Sequence, residues 1–435
     1  MRLKCGPTAR GITTLYSTSL LVSFGHGMTI PTIPLMVAEF NVSLFWAAQI
    51  VTAWAIGKLL GTPPAGIIVD KFGARITLLL GPLLIVGAAL AVVLSPWFWL
   101  VLLAMVFAGA GDSIWMIGRE IAGVELVNPD QRGRLMSGFM GTNSAGMALG
   151  PALGGILADS IDFRAVFLGY MAAAVVVLAL SAFAPVTKKQ PAIRRASGMS
   201  SALPFWSPLR LAGIPALIRQ IEPDLRSTYM VLIFVTFTMM LYRTVLQSML
   251  PLYVVTHRGF SPTELGLLMS AQGIFVILMV IPAGLVTDKV GRKWATVPST
   301  ALPAIAFLAM PFADSLVDIA GLLVLLGLAS GLSLGSVATS TYDVIPAHAR
   351  GRLQALRRTT SETGGIMGPL IGGRIATVTD PGVPFLATAP ILIFAAALLA
   401  FIAKETLHRK PPSTFDDPPP SPSPDERAKV DRPAP

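Results

Sequence analysis

A chain of 435 residues that is 53% hydrophobic and only 13% charged has too few charged side chains to cover a soluble globule of its size. Its mean hydropathy of +0.69 therefore indicates a membrane protein. The formal net charge of +10 is compatible with a nucleic-acid ligand, but membrane proteins also collect Lys and Arg in their cytoplasmic loops. The single cysteine, Cys5, excludes a disulfide framework and a cysteine-rich metal site.

Twelve apolar stretches are long enough to cross a bilayer, since a spanning helix needs about 20 apolar residues. The first six run approximately over residues 14–36, 46–69, 76–94, 97–122, 135–158 and 165–185. The second six run approximately over residues 228–254, 263–287, 294–312, 319–342, 356–378 and 385–404. The sequence thus predicts an all-α membrane protein with two pseudo-symmetric six-helix bundles, over residues 14–185 and 228–404. The first stretch has no small-residue cleavage site behind it, so we expect a retained helix and not a signal peptide.

Three segments lie outside the two bundles. Residues 1–13 precede the first span, and residues 186–227 form a linker with seven Lys and Arg residues. The middle of the linker, residues 205–211, is apolar enough to lie on the membrane surface as a short amphipathic helix, although a plain flexible linker also fits. The tail over residues 405–435 contains nine prolines after position 410, and we expect it to be disordered.

The positions of the bases predict the orientation. If the loops alternate between the two sides, 28 of the 33 Lys and Arg residues fall on the side of the termini and the linker, and 3 on the other. The remaining two, Lys58 and Arg243, lie inside spans. By the positive-inside rule both termini are cytoplasmic in an inner or plasma membrane. The net charge of +10 is then explained by the cytoplasmic position of the bases and by their attraction to anionic lipid head groups. No nucleic-acid partner is needed.

Two motifs recur at a spacing of 218 residues, and such internal repeats predict two halves with one architecture. The first lies in the loop after spans 2 and 8 and comprises Gly66, Asp70, Lys71, Gly73 and Arg75, then Gly284, Asp288, Lys289, Gly291, Arg292 and Lys293. The second lies in spans 5 and 11 and comprises Gly146, Gly150, Pro151, Gly154 and Gly155, then Gly364, Gly368, Pro369, Gly372 and Gly373.

On these two motifs, residues from about 10 to 405 resemble the major facilitator superfamily of secondary transporters, whose members have twelve spans in two halves. In that family the glycine-proline motif of span 5 is associated with exporters that exchange drugs or metabolites for protons, so the resemblance implies efflux. Those exporters commonly carry an arginine in span 4, four residues before a Gly-x-Gly. Gly109 and Gly111 match that pair, but the arginine position holds Met105. The arginine's proton-relay role is therefore not implied for this chain.

The loop motif predicts a conformational latch. Asp70 can accept hydrogen bonds from the free N–H groups of the next helix, or pair with a base of the other half. We expect Asp70, Lys71 and Arg75 to form a cytoplasmic latch that favours one state of the protein. The alternative is that they only fix a turn and the topology. For the second motif, Pro151 bends its helix while the glycines allow close packing, which serves either the direction of transport or packing alone.

Charged residues inside spans are candidate functional groups, because a charge in the membrane interior is costly. Lys58 lies roughly 18 Å from the start of span 2, near the centre of a hydrocarbon core about 30 Å thick. When Pro34 of span 1 is aligned with Pro251 of span 7, His26 occupies the position equivalent to Arg243 in the repeat. Both residues are expected to line a central cavity. The predicted substrate-binding residues are Lys58, Arg243, His26, Gln247, Trp115 and Met240.

A proton-coupled transporter needs a carboxyl group or histidine at which substrate and proton compete. Asp112 of span 4 is the first candidate, because it shares a helix face with an aromatic residue and a base. Its candidate partners are Lys58, Arg243 and Arg119. The further candidates for proton coupling are Glu120 and Glu362, expected nearer the cytoplasmic ends, and His26. The alternatives are a structural ion pair for Asp112 and an ordinary hydrogen-bonded helix residue for His26.

The sequence contains no phosphate-cradling loop, nucleophile triad or metal-binding cluster, so we expect neither an enzyme nor an ATP-driven pump. It favours a monomeric secondary transporter that works by alternating access and exports a small organic molecule against protons. No cofactor is expected, since the proton gradient supplies the energy. A symporter that imports an organic anion is the second alternative, with Lys58 and Arg243 as natural ligands. A transporter-like receptor or scaffold is the third, and the buried charges argue against it.

Overall fold

The computed structural model describes residues 7–128, 131–183, 218–333, 336–346 and 349–406, and these ranges contain helices and short connections without a β-strand. Span 1 consists of α1 and α2, which are joined by a 3₁₀ turn at Ile30–Thr32. Spans 2 to 6 are single helices. The bounds in the first half are α1 Pro7–Thr29, α2 Ile33–Phe40, α3 Leu44–Phe72, α4 Ala74–Val93, α5 Phe98–Leu126, α6 Arg132–Ser160 and α7 Phe163–Ala182.

The second half repeats this plan. Spans 7 and 8 each end in a π-helical turn, at Leu252–His257 and Val286–Val290, and span 9 ends in a 3₁₀ turn at Met310–Phe312. Span 10 is described in two pieces. The bounds are α8 Pro223–Pro251, α9 Pro262–Leu285, α10 Arg292–Ala309, α11 Leu316–Ser333, α12 Ser336–Val344, α13 Arg350–Val378 and α14 Val383–Phe401.

Every predicted span coincides with helix over most of its length, but several predicted boundaries differ by a turn or more. The first helix begins at Pro7 and not near residue 14, and α8 begins at Pro223, inside the segment predicted as linker. Proline suits the first turn of a helix because its missing N–H is not needed there. Residues 184–217 and those beyond 406 lie outside the described residues, so the linker helix and the disordered tail stay predictions.

Among the described residues, ten helical segments are long and apolar enough to cross a membrane. The two further helices at predicted spans, α6 and α13, have 29 residues each but are less apolar. Both carry the glycine-proline motif, and both pack against the other half, α6 against α9 and α13 against α3. Their composition follows from this position, because a helix between two protein surfaces presents less of itself to lipid.

The chain alternates between two ends of the bundle. We call the end that holds the turns after α3 and α9 the basic end, since it carries Lys71, Arg75, Arg292 and Lys293. The described contacts that join the halves lie toward the opposite end. There the amide of Phe45 donates to Thr377 Oγ1 at 3.0 Å, and Thr263 Oγ1 donates to Asp159 Oδ2 at 2.7 Å. The two halves are therefore sealed together at the opposite end.

Toward the basic end, the face of α9 that makes this seal is exposed. Gly273 packs so closely on Ala148 that a Cβ on the glycine would lie 2.5 Å from the Cα of Ala148. One and two turns further along the same face, Ile277 and Ile281 are 37% and 75% exposed. On α6 the corresponding face reaches Gly141, where a Cβ would have no described atom within 4 Å beyond the local backbone of its own helix. A cleft between the halves thus opens at the basic end.

Candidate functional site in the bundle interior

Lys58 of α3 and Asp112 of α5 form an ion pair in the interior of the first half. Lys58 Nζ lies 3.6 Å from Asp112 Oδ2, and the two side chains are 20% and 17% exposed. The pair depends on close helix packing, because a Cβ on Gly57 would overlap the carbonyl of Val106 and one on Gly109 would overlap the carbonyl of Trp54. Of the three bases that the sequence offered to Asp112, the structure brings Lys58 to it.

Trp54, one helical turn before Lys58, joins the ion pair to His26. The indole and imidazole rings stack with centroids 4.1 Å apart and an interplanar angle of 15°. Lys58 Nζ lies 4.6 Å from the indole centroid, within the range of a cation–π contact. The ammonium group of Lys58 is therefore held by a carboxylate and by an aromatic face. The sequence analysis missed Trp54, although its i, i+4 spacing from Lys58 was a usable signal.

A small cavity of about 20 Å³, room for about one water molecule, adjoins this stack. It is lined mainly by apolar side chains, with His26, Trp54, Met105 and Phe167 from the first half and Gln247 from the second. The cavity thus lies between the halves and includes two of the predicted substrate-binding residues, His26 and Gln247. Met105, the residue at the arginine position of similar exporters, contributes an apolar wall. The mostly apolar lining with a few polar groups is typical of a site for small organic molecules, but the cavity is far smaller than the roughly 300 to 1,000 Å³ of such sites and must widen to hold one.

Several polar atoms around the cavity are buried without a hydrogen-bond partner. Among the described residues no partner is found for His26 Nδ1 and Trp54 Nε1, which belong to the cavity lining, or for the hydroxyl of Tyr170, which lies outside the lining and packs against Gly25 of α1. Buried polar atoms are normally hydrogen-bonded, so an exception asks for an explanation. Of these atoms, His26 Nδ1 and Trp54 Nε1 belong to cavity-lining residues and have free donor or acceptor capacity there.

The second half contributes Arg243 from α8. Its Nη2 donates to Ser333 Oγ of α11 at 2.6 Å, and within the described part of the chain no carboxylate lies within ion-pair distance of it. Met240, one turn earlier, packs toward α13, 3.3 Å from the position of a Cβ on Gly365. On this helix, Gln247 lines the cavity whereas Arg243 turns to α11 and Met240 to α13.

Trp115 lies outside the cavity lining in this structure, and its predicted substrate-binding role stays a prediction. Its side chain is 1% exposed and packs against α4, where a Cβ on Gly81 would lie 2.5 Å from the Trp115 Cβ. Because successive helical residues are about 100° apart, Trp115 points about 60° away from Asp112. That angle is enough to turn the indole away from the cavity and into the packing between α4 and α5.

Arg119 lies beyond ion-pair distance of Asp112 in this structure. Its side chain is 5% exposed, its Nη1 donates to Ser19 of α1, and its guanidinium lies 4.4 Å from the Phe139 ring centroid. The nearest carboxylate is that of Glu120, with Nη2 and Oε1 4.0 Å apart. Glu120, predicted for proton coupling, thus faces a base that ties α5 to α1 and α6. The predicted role itself stays a prediction.

Glu362 lies further from the basic end than predicted. It is the thirteenth residue of the 29-residue helix α13, so it sits near the middle of that helix. It is partly exposed, and it shares a helix face with Gly373, which packs on Ala48 of α3. The carboxyl group is therefore on the side of α13 that faces the first half, beside the cleft.

The loop motif after α9 forms a compact network within the second half. Arg292 contacts Asp288 at 2.9 Å and Asp343 of α12 at 3.1 Å. The carboxylate of Glu405, just after α14, accepts the amide N–H groups of Arg292 and Lys293 at 2.8 and 3.0 Å. Glu405 thereby caps the first turn of α10, where free N–H groups favour an anion. The sequence analysis missed this residue.

In the first copy of the loop motif, Arg75 Nη2 donates to the carbonyl of Ala182 at the end of α7, 3.2 Å away. Gly73 and Gly291, the turn glycines of the two copies, have φ values of 85° and 154°, a region that glycine adopts far more readily than other residues. These contacts of both copies lie within one half. The cross-half latch of Asp70, Lys71 and Arg75 stays a prediction.

The glycine-proline motif serves two interfaces at once. In α6, Cβ atoms on Gly146, Gly150 and Gly154 would overlap backbone carbonyls of α1, while one on Gly155 would overlap that of Pro262 in the other half. In α13, Gly364 and Gly368 pack in the same way on α8, Gly372 approaches Met249, and Gly373 faces α3. These contacts agree with packing, and the structure does not test a role in the direction of transport.

Two repeated helical halves, an interior ion pair, and a cavity between the halves beside a cleft open at one end define a multi-pass membrane transporter. The family model of the Major Facilitator Superfamily matches residues 15–222 and 232–434, so the chain belongs to that superfamily. The resemblance predicted from the two motifs is thereby confirmed. The protein is accordingly a transporter and not an enzyme.

Known relatives include proteins named multidrug resistance proteins. The multidrug resistance protein MdtG of Enterobacter lignolyticus is 24% identical over 428 residues, which cover 91% of this chain and 93% of MdtG. Multidrug resistance protein 2 of Bacillus subtilis is 21% identical and covers 88% of this chain and 93% of its own length. Among solved structures, the D-xylose-proton symporter superposes with a TM-score of 0.71 at 16% identity, over 91% of this chain and 98% of the symporter. The last similarity establishes the fold.

Proposed function

We propose that the protein exports drug-like or metabolic small organic molecules across the cell membrane in exchange for protons, by alternating access. The observation that carries the proposal is the Lys58–Asp112 ion pair, held in the bundle interior next to a cavity between the halves. The relatives named as multidrug resistance proteins support the export of organic molecules. The excess of Lys and Arg supports a cytoplasmic location of the basic end and both termini.

Proton coupling follows from the electrostatics of the pair. An isolated charge is costly in the membrane interior, and Lys58 and Asp112 offset each other while both are ionised. A proton on the Asp112 carboxylate cancels that attraction and leaves the ammonium group of Lys58 with the Trp54 ring. The site therefore changes its net charge by one when the proton binds. A proton arriving from outside thus alters the cavity wall and displaces a substrate that was bound with the pair intact.

The lining of the cavity, which must widen to admit a substrate, favours planar, largely apolar molecules. The stacked rings of His26 and Trp54 provide a flat aromatic surface, and Gln247 provides an amide that can donate and accept hydrogen bonds. Met105 and Phe167 complete the apolar wall. Such a site discriminates weakly between molecules of similar shape, since one methylene group in an apolar pocket changes affinity only about 10- to 200-fold.

The test is substrate-dependent proton movement in proteoliposomes of known orientation, with an internal pH-sensitive dye and a panel of planar neutral, cationic and anionic organic molecules. We expect protons to move opposite to the substrate, and Asp112→Asn to abolish this coupling while substrate binding persists. Asp318→Asn serves as the matched control, because Asp318 is an exposed carboxylate that bonds Ser315 at the far end of α11. Unchanged proton exchange in Asp112→Asn would refute the proposal.

A symporter that imports an organic anion is the second candidate. The observation that favours it is Arg243, a partly buried base whose described partner is the neutral hydroxyl of Ser333. An anion bound between Lys58 and Arg243 would supply the missing negative charge. The same proteoliposome assay separates the two candidates, because a symporter moves protons and substrate in the same direction.

A further inference from the structure

At the opposite end of the first half, an ion-pair cluster ties the end of span 1 to the loop between spans 5 and 6. We call it the first clasp, and it consists of Glu39, Asp162 and Arg164. Arg164 Nη2 lies 2.8 Å from Glu39 Oε1, and Arg164 Nη1 lies 3.2 Å from Asp162 Oδ2. An arginine keeps its charge throughout the physiological pH range, so the first clasp is held by a permanent cation.

The 218-residue repeat places a second clasp at the same level of the second half. Glu39 corresponds to His257, the last residue of the π turn Leu252–His257. Asp162 corresponds to Asp380, in the loop between spans 11 and 12. His257 Nε2 lies 3.1 Å from Asp380 Oδ2. Each aspartate also accepts an amide N–H of its own loop, at 2.6 and 2.7 Å. The two clasps are thus equivalent in position, but the base of the second one is a histidine.

The other charged and titratable groups on the elements around His257 have partners of their own. They are Tyr253 and Arg258 beside it in the chain, Asp314 after α10, Glu264 of α9 and Glu39 of α2. The Tyr253 ring stacks on the imidazole, with centroids 5.6 Å apart. In the described part of the chain, Asp380 is the one carboxylate within ion-pair distance of His257. A proton on His257 therefore converts a hydrogen bond into an ion pair.

The π turn that ends at His257 belongs to the seal at the opposite end. It packs against α2 of the first half and against α9 of its own half, and Leu252, Tyr253 and Val254 are fully buried. Its geometry is shown by the amide of Arg258, which donates to the carbonyl of Tyr253 five residues earlier at 2.9 Å. Single π turns are rare and occur mostly at functional sites. The second clasp thus holds the end of a turn that contacts the other half.

We propose that His257 is a regulatory proton-binding site on the face opposite the cytoplasm, and that its protonation favours the state sealed at that end. When the end opens, α2 leaves the π turn, which then relaxes toward an α-helical turn. A shift of one residue rotates His257 by about 100° and takes it away from Asp380. The proton therefore binds more tightly in the sealed state, and acid pH outside raises the population of that state. The inference rests on the alternating access and the orientation of the proposed function.

This role differs from that of Asp112. The proton on Asp112 crosses the membrane in each cycle, whereas a proton on His257 returns to the side from which it came and only biases the equilibrium. The side chains of His257 and Asp380 are 35% and 42% exposed. An ion pair at this exposure changes an equilibrium only about two- to fivefold. The first clasp has a permanent cation, so pH acts on one of the two elements that meet at the seal.

The test measures the ratio of sealed to open protein at the opposite end by spin-label distances in lipid nanodiscs. In a Cys5→Ser background, Trp97→Cys and Ile305→Cys place one label in each half, at sites that are 70% and 56% exposed. The ratio is followed from about pH 8 to about pH 5, the range over which histidine gains its charge. Size-exclusion profiles verify that each variant is folded.

His257→Gln keeps a hydrogen-bond donor but does not titrate. Relative to this variant, the wild-type ratio of sealed to open protein is expected to rise about two- to fivefold on acidification. His257→Lys, which carries a permanent charge, is expected to show the high ratio at both pH values. The control is Thr379→Val, which lies next to Asp380 but whose hydroxyl bonds the carbonyl of Ile375 in its own helix, and it should titrate like the wild type. In proteoliposomes, His257→Gln should leave the number of protons exchanged per substrate unchanged, as expected for a regulatory site.

Four results would overturn the inference. If His257→Gln titrates like Thr379→Val, or if the wild-type ratio falls on acidification relative to His257→Gln, the regulatory site is wrong while alternating access stands. If His257→Gln changes the number of protons exchanged per substrate, His257 belongs to the coupling machinery and the regulatory role is wrong. If the wild type shows a single distance under every pH and substrate condition, both the regulatory site and the proposed alternating access are wrong.

Discussion

Replacement of Gly57 by alanine is expected to break the interior ion pair without touching either charged group. A Cβ at this position would overlap the carbonyl oxygen of Val106 and would lie 2.8 Å from its carbonyl carbon and 3.0 Å from the amide of Ala110. Because backbone atoms cannot rotate away, α3 must move from α5 by about 1 Å to restore ordinary contact distances. The Lys58–Asp112 distance of 3.6 Å is already near the upper limit of an ion pair, so this displacement separates the two groups.

The strain of inserting a methyl group into such a contact is about 1 to 3 kcal/mol. We therefore expect Gly57→Ala to lower the melting temperature and to abolish substrate-dependent proton movement in proteoliposomes. The control is Gly87→Ala on α4, where no atom lies within 4 Å of the added Cβ. That substitution removes a glycine from a helix interior and is expected to be neutral or slightly stabilising.

The separation of the ion pair has its own signature. Any overpacked contact would lower the stability. A loss of proton movement at a temperature where the variant is still folded would instead show that the charged groups have been displaced. If Gly57→Ala transported protons like Gly87→Ala, the claim that helix contact holds Lys58 against Asp112 would be refuted, even if its melting temperature were lower.

Three further substitutions separate roles that the sequence could not distinguish. Trp54→Ala should weaken binding of a fluorescent planar dye about five- to tenfold, the value of an aromatic stack and a cation–π contact, and Trp54→Phe should recover part of it in fluorescence titrations. Trp115→Phe should leave dye affinity unchanged but lower the melting temperature. An altered affinity would show that Trp115 contributes to dye binding. Glu405→Ala should destabilise the second half by about 1 kcal/mol through loss of a helix cap, measured by thermal unfolding, while Glu405→Gln should cost less. An unchanged melting temperature of Glu405→Ala would show that the cap on α10 contributes nothing.

The fold was predictable from sequence because two independent signals agree. Apolar stretches of spanning length define the helices, and the recurrence of motifs at 218 residues defines the halves. The helix starts at Pro7 and Pro223 were harder to predict. Polar residues follow both prolines, so each helix begins several residues before its apolar stretch does. Hydropathy reports the part of a helix inside lipid, and a helix that continues beyond the membrane leaves no such trace.

The candidate site was predictable only in part. A buried base and a buried acid stand out in an apolar span, so Lys58 and Asp112 were identified, and the structure pairs them. Trp54 carries no charge and resembles the many aromatic residues that face lipid or packing, so only its spacing from Lys58 pointed to it. The packing of Trp115 against α4 was not predictable, because a helical wheel gives angles but not the position of the neighbouring helix.

Glu405 was missed for a different reason. It lies more than 100 residues along the chain from the amides that it caps, and a carboxylate at the end of the last span resembles part of a tail. Contacts of this kind depend on where two distant segments emerge from the bundle. A single sequence contains the two segments but not their proximity.

The modest apolarity of α6 and α13 bears on how the protein enters its membrane. A helix with two arginines in its first turn and five motif glycines or prolines in its body gains little from lipid alone. Its stabilisation in the membrane comes from helix packing, because the motif glycines directly contact a neighbouring backbone. For α6 this is the backbone of α1, and for α13 it is the backbone of α8. During synthesis each of these helices must therefore find the first helix of its own half, so that each half is inserted as an assembled unit.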